Sequence, residues 1–129
     1  MNYNATTGLY TFNSSSNFAK IGDTVILYLT GEGVFDSAPL LGGSSDTGFV
    51  IPPGLATTPQ VNPWPTVMIG GVDASAGLAY AGPVVGSIIG VLQINVRVPA
   101  GSTTGAAVPV SVTFGANQTQ ANVTLAIHP

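Results

Sequence analysis

The sequence predicts an all-β fold, an antiparallel β-sandwich. Three observations predict it. Apolar residues recur at every second position through the last forty residues, Gly and Pro clusters punctuate the chain at strand-length intervals, and no segment carries the 3.6-residue apolar period of an amphipathic helix.

Taken in chain order, residues 1–20 form an N-terminal arm in which residues 8–12, with 17–19, make one weak strand. Residues 24–30 (TVILYLT) are a β-branched and aromatic run between the turn Ile21-Gly22-Asp23 and the breaker Gly31-Glu32-Gly33. Residues 35–65 hold most of the Pro and Gly clusters and read as a long loop with a short edge strand at 48–51. Loops of that length are uncommon in compact domains unless they serve a function or are disordered. Residues 66–69 and 76–81 flank Gly70-Gly71 and are expected to pair as a hairpin.

The clearest alternation is residues 90–99 (GVLQINVRVP), with Leu92, Ile94, Val96 and Val98 inward and Gln93, Asn95 and Arg97 outward. Residues 108–114 follow, with Val108, Val110, Val112 and Phe114 inward. There Pro109, which donates no ladder hydrogen bond, marks a strand start or an edge. Residues 120–127 close the chain with Ala121, Val123, Leu125 and Ile127 inward. The count is about seven strands, the Ig-like number, in one domain covering residues 1–129.

Composition narrows what such a domain does. The chain has 129 residues and no Cys, so a disulfide scaffold, a Cys-based zinc site and a thiol nucleophile are all excluded. Charged residues are 5% of the chain, against about a quarter in an ordinary soluble domain. The two cations, Lys20 and Arg97, are too few to neutralise a useful number of phosphates, which argues against nucleic acid and against a basic membrane-surface patch. Residues 74–96 carry no charge after Asp73, but Gly77, Gly82, Pro83, Gly86 and Gly90 interrupt them, so no membrane insertion is expected. Residues 1–4 begin no signal peptide, so an exported form is expected to be a mature or excised piece.

Several blocks resemble a known family. Residues 22–33 (GDTVILYLTGEG), 66–71 (TVMIGG), 79–83 (AYAGP), 90–101 (GVLQINVRVPAG) and 107–113 (AVPVSVT), followed by 123–127, are similar to the C-terminal Ig-like domain of large exported proteins of Solibacter and other acidobacteria. The likeness runs in order from Ile21 to Ile127 and corresponds to the second half of that C-terminal region. It implies an exported β-sandwich, extracellular or at the cell surface, with no catalytic residues to carry over. The stretch 37–63 is richer in Pro and Gly than the family, and the chain is expected to be an excised domain or a free-standing relative.

Candidate chemistry is sparse, and no enzyme or cofactor is expected. A Ser-His-Asp triad needs a buried, oriented histidine, whereas His128 is penultimate, where fraying is the default. Glu32 and Asp36, with Asp46 or Asp73, are weak calcium ligands; solvated loop acids are the plainer reading. Lys20, Glu32 and Asn95 or Asn122 have the residue types of a Lys–Asn crosslink, which needs a desolvated lysine. Asn4, Asn13, Asn117 and Asn122 each begin an N-x-Ser/Thr sequon. Trp64, the single tryptophan, either stacks on a polysaccharide or, more plainly, covers one end of the core.

The expected role is therefore a structural module of a surface protein or a self-assembling filament, in contact with other protein and forming a homo-oligomer or polymer. Tyr3, Tyr10 and Phe12 lie on an N-terminal strand that would be donated to the next copy. The alternatives are a polysaccharide-binding or adhesion module using Trp64, and an accessory domain of a larger exported enzyme.

Overall fold

The computed structural model describes residues 1–31, 50–54 and 60–129. Its strands are β1 (Asn2–Asn4), β2 (Leu9–Thr11), β3 (Ala19–Lys20), β4 (Thr24–Leu29), β5 (Thr66–Ile69), β6 (Val72–Asp73), β7 (Leu78–Pro83), β8 (Leu92–Arg97), β9 (Gly105–Phe114), β10 (Asn117–Gln118) and β11 (Thr124–His128). One sheet runs β2-β1-β4-β8-β7 and the other β3-β11-β9-β5-β6, with β10 also on β9. With β1, β4, β8 and β7 as strands A, B, E and D, and β11, β9 and β5 as G, F and C, this is the Ig-like sandwich order. The described strands exceed seven because the A position is split and the short strands β2, β6 and β10 add to the sheets. β1 pairs with β4 in one sheet, and β3 then runs parallel to β11 in the other.

The two sheets share one apolar core. Val25, Ile94 and Val96 face Val67, Val112 and Ile127, all 2% exposed or less. The alternation expected in residues 90–99 holds, since Leu92, Ile94, Val96 and Val98 are buried while Arg97 is exposed. Antibody domains join strands B and F by a disulfide in this position. Here Val25 on β4 and Val110 and Val112 on β9 take part in the same core as aliphatic packing.

Four elements depart from the sequence expectation. The single weak N-terminal strand is a hairpin: Asn2 pairs with Thr11 and Asn4 with Leu9, and the Asn4 side chain accepts from the Thr6 and Thr7 N–H groups inside the turn. Gly70-Gly71 does turn a hairpin, but its second arm is only β6. The Asp73 carboxylate accepts the Ser75 N–H at 2.8 Å, the chain makes a short 3₁₀ turn at Ser75–Gly77, and β7 joins the opposite sheet. Pro109 sits inside the ten-residue β9 rather than at its start. Its nitrogen faces the end of β5, where Gly70 N–H donates to the Pro109 carbonyl at 2.9 Å and the Gly70 carbonyl, which Pro109 cannot serve, accepts from Thr103 instead.

The last strand differs most. Val123 is 38% exposed and Ala121 is exposed, whereas Ala126, expected outward, is buried. A register shift between Leu125 and Ile127 breaks strict alternation there. Upstream, residues 119–123 bow away from β9 and hold to it through Thr119 N–H to the Val112 carbonyl and Val110 N–H to the Val123 carbonyl.

Of the long loop, residues 50–54 and 60–65 are described. Val50 bridges Ile88, Ile51 is fully buried, and Val61 N–H donates to the Ala81 carbonyl on the outer side of β7. The segment 74–96, apolar enough to suggest a span, forms the 3₁₀ turn, β7 and β8. Among the described residues no helix is long and apolar enough to cross a membrane.

Candidate functional site

The β1–β2 hairpin extends the first sheet past the edge of the core. Tyr3 lies opposite Thr24 on β4 and opposite Tyr10 on β2, which places the two tyrosines on the outer face with ring centroids 5.1 Å apart. Beyond them β2 has no further strand partner among the described residues. Side chains on it and just after it are exposed on both faces: Leu9 is 63% exposed, Tyr10 54% and Phe12 80%. Single exposed apolar residues are common, but three within four residues on an edge strand form a contiguous apolar flange. The strand directions also fix its free hydrogen-bonding groups. Asn2 and Asn4 are the β1 residues turned toward β2, so Leu9 and Thr11 pair inward while the backbone of Tyr10 and Phe12 faces outward. The Phe12 carbonyl is taken by the Asn17 side-chain amide at 2.6 Å.

The arm is fastened to the body at several points. The Met1 amine donates to the Ile26 carbonyl at 2.6 Å, and Ile26 N–H donates to the Met1 carbonyl at 2.7 Å. Asn13 bonds both backbone groups of Ala126 on β11. The N-terminal strand that sequence reading treats as a donor is thus paired with its own sheet.

Trp64 lies between Pro63 and the buried Pro65, just before β5, and is 43% exposed. It is not among the core residues, and an exposed indole is available for stacking.

The remaining candidate groups do not come together. Glu32, Asp36 and Asp46 lie outside the described residues. Among the described residues no three His, Cys, Asp or Glu side chains group as a metal site. Asp73 is committed to the turn, and hydrogen bonds from Ser75 hold its carboxyl below the usual carboxylate range. Lys20 is exposed, which does not supply the desolvation that a Lys–Asn crosslink requires, and Asn122 is exposed as well. His128 is not frayed. It pairs with Lys20, stacks on Phe18 with centroids 3.9 Å apart, and its carbonyl accepts from Ile21 N–H. Tyr80 on β7 donates its hydroxyl to the Pro83 carbonyl at 2.8 Å, and burial pushes its pKa up to about 12. Comparison with family models, curated proteins and solved structures returns no match.

Proposed function

We propose that the chain is an extracellular structural module, a β-sandwich subunit or domain of a surface protein or filament that associates with neighbouring protein through its N-terminal flange. The observation that carries this reading is the exposed apolar edge strand β2, with Leu9 and Tyr10 on it and Phe12 just after it all more than half exposed. Such an edge is a template for strand pairing, and soluble proteins usually protect it with charge, Pro or a covering loop. β2 carries no charge and no Pro, and among the described residues no further strand pairs with its outer edge. The sparse charge supports the same reading, because 5% charged residues give little repulsion between copies. The block resemblance to exported acidobacterial Ig-like domains supports the extracellular setting.

The test is light scattering and electron microscopy of the purified chain beside a Leu9→Asp/Phe12→Asp variant. The wild type is expected to form oligomers or filaments, and the variant to fall to the 12.9 kDa chain mass. A wild type that stays monomeric at millimolar concentration sinks the reading.

A second reading, polysaccharide binding, is favoured by the exposure of Trp64. Because it is the only tryptophan, quenching of intrinsic fluorescence by a glycan reports on that site alone. Trp64→Ala should abolish retention on the same glycan.

A further inference from the structure

We infer that the outer face of the second sheet holds an uncharged, extended polysaccharide, which stacks on Trp64 and places its next sugars in an amide-rimmed recess between β9 and the bowed segment before β11. This rests on the second reading above, polysaccharide binding at Trp64, and adds the surface along which the glycan continues.

Strand β5 aligns the two ends. Burial alternates from Trp64 to Ile69: Pro65, Val67 and Ile69 are buried, whereas Trp64 and Thr66 are exposed and Met68 is half-buried. Trp64 and Met68 therefore share the outer face, four residues or about 13 Å apart along the strand. Met68 lies opposite Ser111 on β9, and Thr66 lies opposite Thr113, which is itself opposite Gln118 on β10. The face between Trp64 and the recess thus carries small hydroxyl side chains.

The recess measures about 450 Å³, with Met68 and Pro109 as its floor and Ser111, Gln118, Gln120 and Asn122 at its rim. A strand running straight along β9 would close this space. Instead residues 119–123 are held at their two ends, by Thr119 N–H to the Val112 carbonyl and by Val110 N–H to the Val123 carbonyl. Asn122, the one non-glycine residue with positive φ among the described residues (+69°), turns the chain back toward the ladder. Such backbone conformations and breaks in strand pairing cluster at binding sites.

The chemistry of the face selects the ligand. A side-chain amide offers a donor and an acceptor together, as a sugar hydroxyl does, so each pairs with a glycan hydroxyl without any charge. Trp64, 43% exposed, supplies an apolar face with a polar tip for a sugar ring. Among the described residues no charged side chain lines the recess, and Asp73, opposite Met68 on β6, is committed to Ser75. A phosphorylated or acidic glycan would need cations, whereas Arg97 is on the other sheet and Lys20 is on β3, at the far edge of this one.

The test is retention of the full chain by cellulose, xylan, mannan and starch, followed by titration with oligosaccharides of the retained glycan. Intrinsic fluorescence, which reports on Trp64 alone, follows the binding. In the wild type affinity should rise from disaccharide to hexasaccharide, because only the longer chains reach from Trp64 into the recess. Gln120→Ala/Asn122→Gly removes two amides, and glycine keeps the positive φ at position 122 without strain. This variant should bind the disaccharide as the wild type does and the hexasaccharide about tenfold more weakly, the loss of one or two hydrogen bonds. If it binds every length as the wild type does, the recess is not a subsite, although binding at Trp64 stands. An equal loss at every length also overturns the inference, since that marks a disturbed fold. A change in solution mass with glycan binding untouched would assign the face to protein contact and overturn it as well. If the wild type binds none of these glycans, the polysaccharide reading itself has failed.

Discussion

Asn13 takes the place of a strand partner for Ala126. Its carboxamide donates to the Ala126 carbonyl at 2.9 Å and accepts the Ala126 N–H at 2.7 Å, across 113 residues of sequence. The same amide nitrogen reaches the Asn2 side chain at 2.9 Å. Ala126 turns its backbone to the edge of β11 away from β9, which β3 pairs only from Ile127 on, so there one side-chain amide satisfies what a backbone would otherwise supply. The amide nitrogen has both hydrogens committed, which leaves this sequon asparagine unsuited to glycosylation.

Asn13→Ala should therefore cost about 1–3 kcal/mol, the penalty of leaving part-buried backbone groups without partners. Asn13→Asp should cost at least as much, because it sets a carboxylate oxygen against the Ala126 carbonyl. Chemical denaturation of both variants checks this. It also predicts that removing the first fourteen residues destabilises the sandwich, so truncation alone cannot isolate a role in assembly.

Gly70 and Gly71 should respond differently to alanine. Both have positive φ, +58° and +80°, which costs an L-residue about 1–2 kcal/mol. At Gly70 an added Cβ would also lie 2.7 Å from the Thr103 backbone nitrogen, whereas at Gly71 it would meet nothing within 4 Å. Thermal melts should place Gly70→Ala well below Gly71→Ala.

Tyr80 makes stability depend on pH at the alkaline end. Its pKa rises from the ordinary 10.0 to about 12 because burial penalises the phenolate. Between those values the folded chain holds a proton that the unfolded chain has released, so stability falls as pH rises through that window. Absorbance titration near 295 nm should show a late tyrosine step, and Tyr80→Phe should remove that step and the stability loss that accompanies it.

Ile94, fully buried at the centre of β8, should cost about 2–5 kcal/mol when changed to Ala. Asn95, its outward neighbour, should cost far less, and denaturant midpoints of the two variants compare them directly.

The period-two pattern of residues 92–98 is set by one physical requirement, that alternate side chains leave water, so the strand and its inner face were legible without a structure. The same rule misjudged residues 120–127, because a bowed segment and a register shift depend on which partner the strand meets and leave no mark in its hydrophobicity. The Gly70-Gly71 turn was legible for a related reason: two consecutive positive-φ positions favour glycine at both. That its second arm ends at Asp73 and the next strand crosses to the other sheet was not, since the crossover depends on a hydrogen bond to Ser75 and on which sheet has an edge to offer.

For the candidate site, sequence marked Tyr3, Tyr10, Phe12 and Trp64 as apolar groups outside the main strands, and their chemistry alone does that much. Their arrangement was decided only by the fold. Hairpin formation turns the backbone of Tyr10 outward, on an edge that no further strand pairs among the described residues. Local alternation and turn chemistry act over a few residues, so the sequence determined the class of fold and the inner face of most strands. Strand edges, grooves and the Asn13–Ala126 bond join residues up to 113 apart, and only tertiary packing determines which of them meet.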